Sequence, residues 1–153
     1  MSLIEQSTRF ARRLIDALTF ASPALDLLIR LWVANVFWKS GLTKIASWDS
    51  TLTLFTYEFQ VPLLPPEVAA PLAAGIELTF PVLLVLGLGA RLSALALFLF
   101  NLMAVISYPG LSEVGLRDHT YWGLLLLVTL LHGPGKISID HFIRRKFLGT
   151  TKR

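Results

Sequence analysis

One carboxylate constrains this 153-residue chain more than any other residue. Glu77 lies inside PLAAGIELTFPVLLVLGLGA, residues 71–90. An apolar run of that length crosses the hydrocarbon core of a bilayer as a helix. A charged side chain at the centre of such a helix costs about 2.5–3.5 kcal/mol or more, so it is kept with a partner or for a task. The run therefore predicts a membrane protein, and Glu77 predicts a polar site within it. Composition points the same way: 54% of the residues are hydrophobic and 16% charged, against about 25% charged in soluble domains.

The expected fold is all-α, an integral membrane four-helix bundle with short interfacial helices. At about 1.5 Å per residue across about 30 Å of hydrocarbon, four segments are long enough to span. They are residues 24–44, 68–88, 92–108 and 116–132. Only Gly87–Arg91 separates the second from the third, which makes them an antiparallel hairpin. Apolar residues interleaved with arginines over Leu3–Phe20 predict an amphipathic helix on the membrane surface. Trp48–Phe59 is rich in aromatics and predicts a short helix at the opposite interface. After Pro134-Gly135, Ser138 is placed to cap a tail helix with Asp140 in its first turn. The chain thus divides into an amphipathic helix (1–22), a bundle (23–135) and a basic tail (136–153).

Basic residues orient the set. Arg9, Arg12, Arg13, Arg91, Lys136, Arg144, Arg145, Lys146, Lys152 and Arg153 fall on one side. Lys39, Lys44 and Arg117 fall on the other, and Arg30 lies within the first span. The positive-inside rule then puts both termini in the cytoplasm, in agreement with an even number of spans. This segregation accounts for the net charge of +4 without nucleic acid. No cleaved signal peptide is expected, because the first twenty residues lack an uninterrupted apolar core followed by small residues.

Counting rise from each span's edge puts Asn35, Glu77 and Asn101 near the midplane and Arg30 about one turn below them. The helical period groups Arg30, Phe37, Gly41 and Lys44 on one stripe, and Ala70, Ala73, Glu77, Pro81, Leu84 and Leu88 on another. On the third span the stripe is Ala94, Leu97, Asn101 and Tyr108, and on the fourth Asp118, Trp122, Leu125 and Thr129. Arg30, Glu77, Asn101 and Asn35 form the expected central polar site, with Arg30 meeting Glu77, although Asn35 and Lys39 fall on the opposite side of span one. Two readings stand for the Arg30–Glu77 pair: an ion pair fixing helix register, or a cavity that binds a small polar or redox-active molecule. Near the opposite surface, Lys44, Trp38, Trp122, Asp118 and His119 read either as snorkelling cations and interfacial aromatics or as the mouth of a quinone-head-group or anion pocket.

Other chemistry is unsupported. There are no cysteines, which excludes disulfides and thiolate chemistry. The histidines show no metal-ligand spacing, so no metal is expected. Neither a Walker loop nor GxGxxG is present, and no Ser–His–Asp arrangement is visible.

The order of several short motifs resembles the DoxX family of small four-helix membrane proteins. These are Arg30, Phe37, Gly41 and Lys44 in span one, FQVPLLPPEVAAPLAAGIE ending at Glu77, LLVLGLGARLSALAL around Arg91, and HGPGKISID from His132 to Asp140. The resemblance covers about residues 24–142. It implies a compact bundle in a bacterial inner membrane and quinone- or sulfur-linked redox work, in which a quinone is the candidate cofactor and a redox partner subunit or a homo-oligomer the candidate partner besides the lipid bilayer. The leading expectation is therefore an accessory or quinone-interacting redox subunit. A non-catalytic scaffold or cargo and assembly factor is the alternative, and a small-molecule transporter a third reading.

Overall fold

The computed structural model describes residues 3–147 and residue 149. Six helices follow one another: α1 Leu3–Ala46, α2 Trp48–Tyr57, α3 Pro66–Leu86, α4 Ala90–Ser107, α5 Glu113–His132 and α6 Ile139–Phe147. No strand occurs among the described residues. Lys152 and Arg153, counted above toward the basic side, lie outside them.

Helices α1, α3, α4 and α5 pack side by side, α1 on α3, α3 on α4, α4 on α5 and α5 back on α1. Three of them, α1, α3 and α4, are long and apolar enough to cross a membrane. Helix α5 has 20 residues but opens with Glu113, Arg117, Asp118 and His119, and it does not reach that apolarity. The centre is built from Val33, Ala34, Phe37, Leu84, Ala94, Leu97 and Leu126, all buried. Facing outward are Leu28, Trp32, Leu92, Leu99, Ile106, Leu124 and Leu131. An apolar surface on all sides is what a lipid solvent permits, because lipid tails exert no hydrophobic drive to hide it.

The helical stripes read from the sequence are mostly the buried ones. On α3, Ala70, Ala73, Glu77, Pro81 and Leu84 are buried, and on α4 so are Ala94, Leu97 and Asn101. Helix α5 is rotated from its expected stripe: Gly123 and Leu126 are buried with Thr129, while Asp118 is exposed. Gly123 lets the α4 side chains of Phe98 and Asn101 approach the α5 backbone, a packing drive stronger than the weak polar signal of Asp118 and Trp122.

The N-terminal segment is also different. No break separates an interfacial helix at 1–22 from the first span. Instead α1 runs unbroken for 44 residues through Pro23, about 66 Å of helix. A proline removes one backbone donor and strains the preceding turn, yet at this position it does not end the helix. Residues 6–22 are exposed throughout.

Beyond the basic ends of the spans, the turn after α3 and the segment after α5 interlock. Gly87 and Gly89 both adopt left-handed conformations, and the Leu88 amide bonds to the Leu83 carbonyl, a Schellman-type ending for α3. Arg30, fully buried, donates Nη1 to the carbonyls of Leu84 and Val85 at 3.1 and 3.0 Å and Nη2 to the Ile137 carbonyl. The Asp140 carboxylate accepts from the amides of Gly89 and Ala90 at 2.8 and 2.9 Å, capping α4. Ser138 Oγ accepts from the His141 amide at 3.1 Å, the cap expected for α6. Arg91 Nη2 donates to the Leu131 carbonyl near the end of α5.

Candidate functional site

Glu77 does not meet Arg30. The side chains of Glu77 and Leu78 lie against Gly41 of α1, where an added Cβ would stand 3.0 Å from the Glu77 Cβ. Arg30 instead faces Gly87. Positions 30 and 41 are separated by about 16 Å along a helix, too far for one guanidinium to bridge. The sequence estimate fixed each span's edge independently, and a shift of a few residues in both edges moved the two side chains to opposite halves of the molecule.

The partner of Glu77 is Lys44, with Nζ 2.6 Å from Oε2. The Glu77 side chain is 5% exposed and that of Lys44 17%. At that distance the ammonium and the carboxylate form a close ion pair. Lys44 Nζ also donates to Ser40 Oγ at 3.0 Å, one helical turn back. Pro81 lies inside α3 four positions after Glu77 and has no N–H to offer the Glu77 carbonyl. The Glu77 carbonyl therefore lacks its intrahelical donor.

Asn101 is buried on α4 and belongs to a second polar unit. Its Nδ2 donates to the His119 carbonyl at 2.9 Å, and its Oδ1 lies 2.7 Å from His119 Nδ1. The carbonyl fixes the amide's orientation, since only Nδ2 can donate to it. Oδ1 then faces the ring and only accepts, so His119 Nδ1 carries the proton. In the neutral ring this leaves Nε2 as an acceptor.

Both polar units open on one cavity of about 430 Å³. Its walls are aromatic. Phe37 stands edge-on to Trp122 and Phe100, with ring centres 6.2 and 6.3 Å apart, and His119 lies 4.8 Å from Trp122. Phe55 and Phe59 of the α2 region and Tyr108 close another side. Helix α2 is held over the cavity by Thr51, whose hydroxyl donates to the Lys44 carbonyl at 2.9 Å, and by the Gln60 amide, which donates to the Ser107 carbonyl at 2.7 Å. Ser107 itself is 2% exposed, lines the cavity, and its Oγ has no hydrogen-bond partner among the described residues. The lining residues Leu72 and Met103 are also exposed on the outer surface, so the cavity reaches the lipid-facing side.

The cavity gathers Lys44, Glu77, His119 and Trp122 from the residues singled out in the sequence, and touches Asn101 through His119. Asn35 is exposed on the far face of α1, as is Trp38, and Asp118 is exposed on α5. None of the three lines the cavity. Phe37 and Gly41 bury their face of α1 against α3, which turns Asn35 and Trp38 outward. Ser40, Ser107, Phe55 and Phe59 were not singled out. Ser40 precedes Lys44 by one helical turn and Phe55 precedes Phe59 by the same spacing, so both pairs carried a usable helical signal. Ser107 carried none, because its role depends on where α2 folds back. No group of His, Asp and Glu that could hold a metal occurs among the described residues.

Comparison with known proteins places this geometry in a family setting. The DoxX family model matches residues 25–109, more than half of the chain. An uncharacterized protein from Haemophilus influenzae is 30% identical over 128 residues, covering 79% of this chain and 84% of that protein. No solved structure matches.

Proposed function

The chain belongs to the DoxX family, and on that footing we propose that it binds the head group of a quinone in the aromatic cavity, as an accessory subunit of a membrane redox system. The observation that carries the reading is the combination of an unpartnered buried hydroxyl, Ser107 Oγ, with an ion pair and a histidine around one aromatic-walled space. Small-molecule sites are mostly apolar, about 300–1,000 Å³ in volume, with a few fixed polar groups. A quinone needs donors for two carbonyl oxygens and flat apolar walls for its ring. Ser107 and Lys44 supply the donors, Phe37, Phe100 and Trp122 the walls. His119 Nε2 supplies an acceptor for the hydroxyl of the reduced form. An isoprenoid tail would leave past Leu72 and Met103 into lipid.

Under this proposal α5 is the fourth span, both termini are cytoplasmic, and the membrane is a bacterial inner membrane. The charged start of α5 then lies at the outer interface, where Arg117 and Asp118 reach water. Since the chain has no cysteine, a redox role runs through the bound quinone and a partner subunit that exchanges electrons with it.

Four tryptophans are present, and only Trp122 lines the cavity. Replacing Trp32, Trp38 and Trp48 by Phe leaves Trp122 as the reporter. A short-chain quinone analogue is expected to quench it saturably in detergent. Ser107→Ala with His119→Gln is expected to weaken that binding about tenfold while leaving the melting transition in place, as for the loss of one to two hydrogen bonds. Linear quenching, identical with and without the substitutions, would mean partitioning into the micelle and would favour the scaffold reading.

A further inference from the structure

A second cavity, of about 270 Å³, lies at the basic end of the molecule, far from the aromatic one. It forms where α1 around Thr19–Asp26 faces the segment 132–136 and α6. The side chains of Arg91, His132, Lys136, His141 and Arg144 converge on it, with Asp26 and Asp140 as the carboxylates. Asp140 is already engaged by the amides of Gly89 and Ala90, and Asp26 packs against Gly135. Glycine is required at 135, because a Cβ there would collide with the Asp26 carboxylate. Three permanent cations, Arg91, Lys136 and Arg144, therefore line a space with two carboxylates, one of which is held by the first amides of α4.

Charge bias from membrane topology scatters basic residues over a surface. Here they are drawn from α4, α5, the loop and α6 into one concave site that also presents the Ser22 and Thr19 positions of α1. From these observations we infer that this cavity binds a phosphate ester, and that its natural occupant is the head group of an anionic phospholipid. Arginine and lysine together suit a tetrahedral oxyanion, arginine by its fork and lysine as a point charge. The lipid source is favoured by what surrounds the cavity. Leu25, Leu28 and Leu131 are exposed beside it on α1 and α5, and Phe142, Ile143 and Phe147 are exposed on α6. Acyl chains would run along the leucines while the phosphate sits among the cations.

The test is native mass spectrometry of the full chain from mild detergent carrying equal amounts of phosphatidylglycerol and phosphatidylcholine. The wild type is expected to retain phosphatidylglycerol selectively. Lys136→Gln with Arg144→Gln is expected to lower that retention about tenfold, since each basic residue near an anionic lipid contributes measurably. Arg145→Gln with Lys146→Gln removes the same charge from the same region outside the cavity, and is expected to stay within about twofold of wild type on the same scale. An equal fall in both pairs, or no fall in either, overturns the site in favour of general surface attraction. Should the first pair not fold, the wild type still decides: no rise in its melting temperature with phosphatidylglycerol over phosphatidylcholine overturns the proposal. Displacement of the lipid by glycerol 3-phosphate at low millimolar concentration identifies a soluble phosphate ester as the occupant. Retention of the lipid identifies the head group.

Discussion

Replacing Arg30 by Met should destabilise the protein strongly, and for a reason unrelated to Glu77. Arg30 is fully buried and donates to the carbonyls of Leu84, Val85 and Ile137. Hydrogen bonds from charged donors contribute about 1.5–3 kcal/mol each, a gross loss of several kcal/mol. Removing a buried cation relieves part of that, since Arg30 has no carboxylate in direct contact among the described residues and its Nε is unpartnered. A net loss of about 3 kcal/mol follows. Unfolding by titration of a denaturing detergent into mixed micelles reads it directly. Combined with Glu77→Gln, the effect should be additive within about 0.5 kcal/mol, as for sites without shared partners. Combined with Asp140→Ala it should be sub-additive, because Arg30 ties Ile137 to the end of α3 and Asp140 ties α6 to the start of α4, so both fasten the segment 137–140 to the same corner. Coupling of Arg30 with Glu77 and strict additivity with Asp140 would refute this assignment.

Four further outcomes are expected. Lys44→Met and Glu77→Gln should each cost stability, and the double variant should recover part of it, because a single substitution leaves one buried charge alone at a cost of about 3–5 kcal/mol; strict additivity in melting experiments would reject the pair. Gly41→Val should lower the melting temperature far more than Gly75→Val, since a Cβ at 41 meets Glu77 and Leu78 while one at 75 meets nothing within 4 Å; equal effects would show that the α1–α3 approach is not tight. Asp140→Ala should remove about 1–2 kcal/mol through loss of the α4 cap, with Asp140→Asn in between, as measured by the same detergent titration. A cysteine introduced at Thr56 should react with a membrane-impermeant reagent from the periplasm and one at Thr151 should not; labelling at Thr151 would overturn the orientation.

Periodicity made most of the buried faces legible. Ala70, Ala73, Glu77, Pro81 and Leu84 sit on one stripe because a helix repeats every 3.6 residues wherever it begins. Depth was not legible in the same way. It depends on how one helix slides against another, and that is set by contacts such as Gly41 against Glu77 and Gly87 against Arg30, which no count along a single span contains. Glu77 reads from the sequence as a buried charge in need of a partner, but the partner expected, Arg30, is a cation about four turns away from the true one, Lys44. Lys44 had been read as belonging to the outer surface, because a lysine near a helix end ordinarily snorkels. Its side chain turns inward because Ser40 and Glu77 offer it acceptors. The start of α1 was missed for another reason. The change from arginine-rich to apolar sequence reads as a joint, yet it does not break the helix, and neither does Pro23.

The residues that fasten the basic end are spread unevenly along the chain, and that sets an order of events during synthesis. Arg30 and the glycine turn emerge early, whereas Ile137 and Asp140 emerge only after every long helix has been made. A domain folds as a unit once its parts have been made. Until Ile137 and Asp140 are in place, α4 lacks its carboxylate cap and Arg30 lacks one of its three acceptors. A chain interrupted after α5 would contain all of its long helices and still be unable to close the end that holds them in register. The bonds from Arg30 to Ile137 and from the α4 amides to Asp140 thus make the short segment 137–140 the piece that joins the end of α3 to the start of α4.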